Sequence, residues 1–311
     1  MSPRSSVIVT GSRGQDGSYL VDMLRARGAE VTEVSRAGAL LPNGSSVPCD
    51  LSDARAASEL ISQTQPEACF HLAACSVATS RDEAALAFNH RSTVNLCDAI
   101  AAHAPQCRFL LAGSSEMFGD PPHTPQDEHT PFAPTTPYGR SKLAAHEAVR
   151  AARARGLFAV TAILFNHESP RRPAHFVTRK VSVAVAEIHL GRRHKLVLGS
   201  LDGRRDWGYA PEYVDAMARM VEMDAPEDLV LATGETHSVR ELVDAAFAAV
   251  GRRAADHVES DPSLFRKESA LELRGDASRA ADMLDWRAQR RMAEVVEEMV
   301  RADLARLSTE G

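Results

Sequence analysis

Three glycines near the start of the chain limit its fold more than any other feature of the sequence. Gly11, Gly14 and Gly17 lie in the string TGSRGQDGSYL, directly after the apolar run VIVT at residues 7–10. A short β-branched run is typical of a buried strand, and the residues that follow have a helical pattern. Glycines at such a junction let the backbone turn tightly and approach a phosphate group at the helix N-terminus. The motif therefore predicts a dinucleotide site, and a simple tight turn is the alternative.

Short apolar runs alternate with helical segments through the first half of the chain. The predicted strands are residues 7–10, 30–35, 68–74, 108–113 and 158–165, and the longest predicted helix is 82–103. Strands and helices in this alternation predict an α/β fold, a doubly wound parallel sheet of the Rossmann type. We expect a cofactor-binding domain over 1–166, to which segments at about 205–234 cross back, and a smaller lobe for the substrate over 167–311.

Composition excludes several other classes of protein. The formal net charge of −6 argues against a nucleic-acid or membrane-surface binder. The five cysteines are irregularly spaced, which is typical of reduced thiols in a cytoplasmic protein. The twelve histidines have no metal-ligand spacing, and no apolar run has the length of a membrane span, so we expect neither a metal site nor a membrane segment.

The residue after the second predicted strand indicates which dinucleotide is bound. This residue is Arg36. An acidic side chain here would bind a ribose 2′-hydroxyl, whereas an arginine suits a 2′-phosphate. Arg36 therefore favours NADP, and an arginine that simply faces solvent is the alternative.

The stretch from Ser114 to Lys142 carries the candidate catalytic groups. Ser114, Ser115 and Glu116 follow the strand RFLLAG, and Tyr138 precedes Lys142 by four residues. Residues four apart share a helix face, so the Lys142 ammonium should lower the pKa of Tyr138. A phenolate can take the proton of a sugar alcohol while a nicotinamide takes the hydride, and Glu116 would add a second base. The alternatives are a surface Tyr/Lys pair, a solvated carboxylate and a turn serine.

Two arginine-bearing loops follow Phe165. Residues 171–180 include three arginines and a lysine, and Arg204 and Arg205 come later. Loops of this kind beside a dinucleotide site suggest the diphosphate of a nucleotide sugar, although they could also form a solvated face. His167 is a candidate hydrogen-bonding partner of cofactor or substrate, with a buried structural histidine as the alternative.

Several longer strings resemble the GDP-mannose 4,6-dehydratases, which are extended short-chain dehydrogenase/reductases. These strings are TGSRGQDGSYL, SSEMFG, PFAPTTPYGRSK, ILFNHESPRRPAHFVTRK, LGSLDGRRDWGYAPEYVDAM and ATGETHSVRE, and the resemblance runs from about residue 5 to 307. The resemblance implies that the cofactor is bound by Gly11, Gly14, Gln15, Asp16, Gly17, Arg36, Asp50, Leu51, Leu72, Ala73, Ala74, Tyr138, Lys142, His167 and Arg172. It implies that the nucleotide sugar is bound by Ser115, Asn166, Lys180, Arg205 and Arg266.

The resemblance also implies a reaction. Tyr138, helped by Lys142 and Ser114, would remove the 4-hydroxyl proton while NADP accepts the C4 hydride. Glu116 would take the C5 proton and assist loss of water from C6, and the hydride would return to C6. The product would be GDP-4-keto-6-deoxymannose. A 4-epimerase or 4-keto reductase on the same fold is the enzymatic alternative, and a non-catalytic NADP-binding regulator is the alternative from another class.

Departures from the family pattern bear on the substrate and on assembly. The loop after Arg36 is shorter than in the family, which favours a homodimer over the alternative tetramer. Ser114 stands where threonine is usual, and Cys75 stands where glutamine is usual. Arg266 begins Arg-Lys-Glu-Ser in place of Arg-Pro-x-Glu. A related nucleotide hexose or heptose is therefore the alternative to GDP-mannose.

Overall fold

The computed structural model describes residues 5–35, 40–41, 44–75, 83–264 and 272–309. Its strands are β1 (Ser6–Thr10), β2 (Glu30–Ser35), β3 (Leu40–Leu41), β4 (Gly44–Ser45), β5 (Val47–Pro48), β6 (Ala68–His71), β7 (Arg108–Ala112), β8 (Ala159–Leu164), β9 (Asn166–Glu168), β10 (Leu196–Leu198), β11 (Arg204–Arg205), β12 (Trp207–Tyr209), β13 (Leu229–Leu231), β14 (His237–Ser238), β15 (Val258–Ser260) and β16 (Glu272–Leu273). Its α-helices are α1 (Gln15–Ala26), α2 (Ala54–Thr64), α3 (Glu83–His103), α4 (Pro137–Ala154), α5 (Val177–His189), α6 (Ala210–Met220), α7 (Val239–Ala248), α8 (Ser278–Leu284) and α9 (Met292–Thr309).

Seven strands form one parallel sheet in the order β13-β8-β7-β6-β1-β2-β5. The chain adds strands outward from β1 in one direction and then, from β6, in the other. This is the doubly wound arrangement, and the predicted fold class is confirmed. In such a sheet ligands bind where the strand order reverses, outside the carboxyl ends of the strands. The reversal here lies between β1 and β6.

The sheet is buried on both faces, which explains why its strands read as continuous apolar runs. Alternate residues of β7 point to opposite sides: Leu110 packs in the cluster that includes α1 and α6, and Phe109 packs in the cluster that includes α3 and α4. A third cluster joins α5, α7 and α9 around Phe247 and Val300. No helix among the described residues is long and apolar enough to cross a membrane.

The later part of the chain contributes both to the central sheet and to a separate cluster. Strand β13 pairs with β8 in the main sheet. Small sheets form from β9 with β12, from β10 with β15, and from β11 with β14 and β16. The predicted division of the chain into domains at residue 166 stays a prediction.

The loop between Glu116 and Tyr138 is bound to the C-terminal part of the chain through Gln126, which is 0% exposed. The backbone N–H of Gln126 donates to Arg274 O, and its carbonyl accepts from Asp276 N, both at 2.8 Å. Its side-chain Oε1 also accepts from Arg274 N at 3.1 Å. The two segments therefore hold each other along a short stretch of backbone.

Candidate active site

The glycine loop after β1 forms a cradle that has room for backbone only. Gly11 has a φ of +68°, and a Cβ there would lie 2.7 Å from the backbone nitrogen of Ala73. A Cβ at Gly17 would lie 2.2 Å from the carbonyl oxygen of Gly11. In the same loop the buried hydroxyl of Ser12 has no hydrogen-bond partner among the described residues. A cradle of glycines with a spare hydroxyl fits a pyrophosphate at the start of α1.

The side chain of Gln15 is engaged within the protein. Its amide nitrogen donates to His167 O at 2.9 Å and to Asp16 Oδ1 at 3.1 Å, and its Oε1 accepts from Ser169 Oγ at 2.9 Å. Gln15 is also 5% exposed. The side chain thus binds the start of α1 to β9 and to the residue that follows it, and the predicted contact of Gln15 with a cofactor stays a prediction.

Asp16, which is partly buried, pairs with the buried His167 at the same edge of the sheet. His167 Nε2 lies 2.9 Å from Asp16 Oδ1, and His167 Nδ1 lies 2.7 Å from Phe165 O. A carbonyl and an ionised carboxylate only accept hydrogen bonds, so these two contacts favour a ring that is protonated on both nitrogens. Burial alone would lower the pKa of His167, but the Asp16 carboxylate outweighs burial and raises it. Burial would likewise raise the pKa of Asp16, and His167 and Arg172 hold it below its usual value.

Arg172 is held in place beside this pair. Its Nε lies 3.1 Å from Glu168 Oε2, and its guanidinium lies 3.6 Å from the centre of the Phe176 ring. Glu168 is 3% exposed and accepts a hydrogen bond from Thr178 at 2.5 Å, so its contact with Arg172 is an ion pair in a buried setting. A guanidinium fixed in this way on a preformed stack suits a phosphate, because little side-chain freedom remains to be lost on binding.

Glu116 lies on a 3-10 turn at Ser115–Met117, directly after β7. Ser114 begins the turn, and its Oγ accepts from Glu116 N at 3.2 Å. The turn packs on the first turn of α4: a Cβ at Gly139 would lie 2.4 Å from Glu116 O. The structure therefore brings the predicted base next to the helix that carries Tyr138.

Tyr138 and Lys142 lie at the start of α4, next to the 3-10 turn that Ser114 begins. The Ser114 hydroxyl hydrogen-bonds Tyr138, and Lys142 Nζ lies 6.0 Å from the centre of the phenol ring. Lys142 Nζ donates to Ala112 O at 2.8 Å. Burial raises the pKa of Tyr138, and Glu116 raises it further. The expected lowering of the Tyr138 pKa by Lys142 is therefore wrong, because desolvation dominates and the Lys142 ammonium donates to a carbonyl. Burial lowers the pKa of Lys142 to about 8.

The sequence reading missed His71, which orders the loop after β6. Ser92 Oγ donates to Phe88 O at 2.7 Å, so it accepts from His71 Nε2 at 2.9 Å. His71 Nδ1 then accepts from Thr10 Oγ1 at 2.8 Å, and Thr10 Oγ1 accepts from Ala73 N at 3.1 Å. Burial lowers the pKa of His71 to about 3, so the ring is neutral. The feature of the sequence that could have identified His71 is a histidine within the apolar strand ACFH.

The remaining predicted cofactor residues surround the same edge. Leu72, Ala73 and Ala74 follow β6 and are partly buried, and Leu51 is buried while Asp50 is exposed. Asp50 Oδ1 accepts from Ser52 N at 2.9 Å, which orders this turn. Arg36, on which the NADP prediction rests, lies outside the described residues.

The predicted substrate residues are spread over several elements. Ser115 is 2% exposed within the 3-10 turn, and Asn166 lies in β9. Lys180 Nζ donates to Val197 O at 2.9 Å, and Arg205 lies in β11, where its guanidinium donates to Arg204 O. Arg266 lies outside the described residues. The structure brings Ser114, Glu116, Tyr138 and Lys142 together, and the contacts of the substrate set stay predictions.

The parallel sheet, the glycine cradle and the Tyr138–Lys142 pair on one helix define an extended short-chain dehydrogenase/reductase. A family model described as GDP-mannose 4,6 dehydratase matches residues 8–299. The chain belongs to the GDP-mannose 4,6-dehydratase family, as the sequence predicted. It is therefore an enzyme of the hydro-lyase class, a nucleotide-sugar 4,6-dehydratase.

Individual relatives agree with this assignment. The chain is 39% identical over 334 residues to GDP-mannose 4,6 dehydratase 1 of Arabidopsis thaliana, which covers 98% of this chain and 91% of the relative. It is 38% identical over 347 residues to human GDP-mannose 4,6 dehydratase, covering 99% and 93%. The structure of RMD from Pseudomonas aeruginosa complexed with NADPH has the same fold, with a TM-score of 0.84 at 22% identity over 97% of this chain and 100% of that chain.

Proposed function

We propose that this enzyme converts GDP-mannose into GDP-4-keto-6-deoxymannose and water, with NADP as its cofactor. The observation that carries the proposal is Glu116 packed on the first turn of the helix that bears Tyr138. Oxidation or epimerisation at C4 needs the tyrosine alone, whereas removal of the C5 proton needs a further base. The relatives named as GDP-mannose 4,6-dehydratases support the choice of sugar nucleotide.

Tyr138 and Glu116 divide the proton transfers of this reaction between them. Tyr138 takes the proton of the 4-hydroxyl as a phenolate, and the hydrogen bond from Ser114, which lowers the pKa of Tyr138 against the effect of burial, favours that form. NADP, which the glycine cradle and Arg172 would hold, would supply a hydride acceptor for C4 and a hydride donor for C6. Glu116 removes the C5 proton, which is acidic once C4 is a ketone, and gives a proton to the hydroxyl that leaves C6 as water. A proton returns to C5 at the end, so the net change is the loss of one water.

The cofactor is held by the glycine cradle, the Asp16–His167 pair and Arg172. Arg36, which follows β2 in the sequence, favours NADP over NAD, and the exposed Arg13 adds a positive charge in the loop after β1. The NADPH in the Pseudomonas aeruginosa RMD structure supports the same choice. A comparison of NADP and NAD affinities for the purified protein tests it, and tighter binding of NAD would contradict it.

The substrate is held by Ser115, Asn166, Lys180, Arg205 and Arg266. We further propose that the enzyme is a homodimer, because the sequence after Arg36 is shorter than in the family, and that it is cytoplasmic, because its five cysteines are spaced as reduced thiols. Light scattering coupled to size exclusion measures the assembly directly, and a tetramer would contradict the dimer.

The decisive experiment compares Glu116→Gln with wild type. GDP-mannose is incubated with the NADP-loaded enzyme, and mass spectrometry measures the loss of one water. Removal of a positioned base should lower kcat by about 10²–10⁴-fold. Glu147→Gln is the matched control, because Glu147 is an exposed glutamate on α4. If Glu116→Gln retains wild-type turnover, or if wild type gives a product of unchanged mass, a 4-epimerase replaces the dehydratase. Tight NADP binding without turnover of any nucleotide sugar would instead indicate a regulator.

A further inference from the structure

Thr136 performs two functions at the start of the tyrosine helix. It is the N-cap of α4, and its Oγ1 accepts from Gly139 N at 3.0 Å. The cap uses the hydroxyl oxygen as an acceptor, so the hydroxyl proton remains available to another group. Glu116 Oε2 lies 3.4 Å from the same Oγ1, in a geometry that lets Thr136 donate.

We propose that Thr136 is a positioning residue that fixes the carboxylate of Glu116 for removal of the C5 proton. The proposal rests on the proposed function. It concerns the side chain of Glu116, because the backbone of that residue is already fixed. Glu116 N is bonded to Ser114 Oγ, and Glu116 O lies against Gly139.

The side chain of Glu116 has three rotatable bonds beyond this fixed backbone, and it is only partly buried. A base must lie within hydrogen-bond distance of the proton that it removes, so free rotation would reduce the share of productive orientations. One hydroxyl that both caps α4 and bonds Glu116 sets the carboxylate at a fixed place relative to Tyr138, which lies two residues after Thr136. Movement of the helix would then carry both catalytic groups together.

The two functions of Thr136 can be separated by an isosteric pair of variants. Asparagine and aspartate are both good N-caps, so Thr136→Asn and Thr136→Asp should preserve the helix start equally. The asparagine amide can still donate to Glu116, whereas the aspartate carboxylate repels it. The NADP-loaded enzymes are mixed with GDP-mannose in single turnovers, and both water loss and the absorbance of reduced nicotinamide are followed.

We expect Thr136→Asp to oxidise C4 but to stall before the loss of water. Reduced nicotinamide should accumulate, and kcat should fall by about tenfold or more relative to Thr136→Asn, in proportion to the loss of base catalysis. Thr136→Ser should restore wild-type behaviour. Equal kcat and equal absorbance traces for the two isosteric variants would overturn the proposal and leave Thr136 as a helix cap.

A crystallographic comparison decides the question without turnover. Thr136→Val keeps the branched shape of the side chain and removes the hydroxyl. We expect the Glu116 side chain to leave its orientation while the backbone of residues 114–117 stays in place; an unchanged side chain would overturn the proposal. If wild type loses no water from GDP-mannose, the proposed function fails, and this comparison still tests the role of Thr136.

Discussion

Replacement of Gly11 by alanine should show why the glycine is needed. The loss in the free energy of unfolding can be divided into a part from the close approach of Ala73 and a part from the left-handed backbone conformation. Gly11 has a φ of +68°, and an added Cβ would lie 2.7 Å from Ala73 N and 2.8 Å from the carbonyl carbon of Leu72. Gly191 is a matched control at the end of α5, because it has a φ of +73° and an added Cβ would meet nothing within 4 Å. The two variants share the conformational penalty and differ in the clash.

The expected magnitudes follow from these two geometries. A left-handed conformation costs an alanine about 1–2 kcal/mol, so Gly191→Ala should lower the free energy of unfolding by that amount. Gly11→Ala adds overpacking against a backbone that cannot rotate away, about 1–3 kcal/mol more. Urea denaturation followed by circular dichroism measures both losses. Equal losses for the two variants would refute the argument from close approach.

The same pair of variants tests the cradle as a cofactor site. The loop of Gly11 must shift away from Ala73 to admit a methyl group, and it should then no longer fit a pyrophosphate. We expect NADP affinity to fall by about tenfold or more for Gly11→Ala, equivalent to about 1.4 kcal/mol. Gly191→Ala should bind NADP as wild type does. Fluorescence titration with NADPH gives both values.

Two further predictions concern buried charge. Asp303 is 0% exposed and pairs with Arg179 at 2.8 Å and with Arg306 at 3.2 Å. Asp303→Asn should lower the free energy of unfolding by about 3–5 kcal/mol, because it removes the buried carboxylate that both arginines share. Arg55→Gln in an exposed pair should change nothing measurable in the same urea denaturation. Asp16→Asn should destabilise most at pH values between the ordinary pKa of an aspartate, 3.8, and that of a histidine, 6.5. The raised pKa of His167 gives stability that is fully present below 6.5 and is lost as pH rises through that raised value, and the lowered pKa of Asp16 gives stability that is lost as pH falls through it. Thermal melts from about pH 5 to about pH 9 measure this difference, with Asp22→Asn on the exposed side of α1 as control, and a difference that grows with pH would contradict it.

The sequence predicted those features that depend on periodicity and on neighbouring residues. Runs such as RFLLAG became strands that are buried on both faces of the sheet. The catalytic stretch could be predicted because Glu116 follows a strand end and Tyr138 precedes Lys142 by one helical turn. Strand β6 ends at His71, earlier than predicted, because the following residues turn toward the glycine loop.

Features that depend on contacts between distant residues could not be predicted in this way. Gln15 is bonded to a serine 154 positions away, and nothing near it in the sequence indicates that contact. The pKa of Tyr138 depends on how much water the folded chain excludes, which the spacing of Tyr138 and Lys142 does not determine. Thr136 looks like an ordinary helix cap until Glu116 is placed beside it.

The attachment of Gln126 to residues 274–276 has a consequence for how such enzymes can be recombined. The loop from the 3-10 turn to α4 belongs to the first half of the sequence, yet Gln126 makes its backbone pairs with the last fifth of the chain. Exchange of the C-terminal part between relatives would therefore change the partner of the very loop that joins Glu116 to Tyr138. A chimera that takes this loop and residues 274–276 from the same parent keeps the backbone pairs of Gln126, whereas a single crossover after α4 takes the loop from one parent and its partner segment from the other.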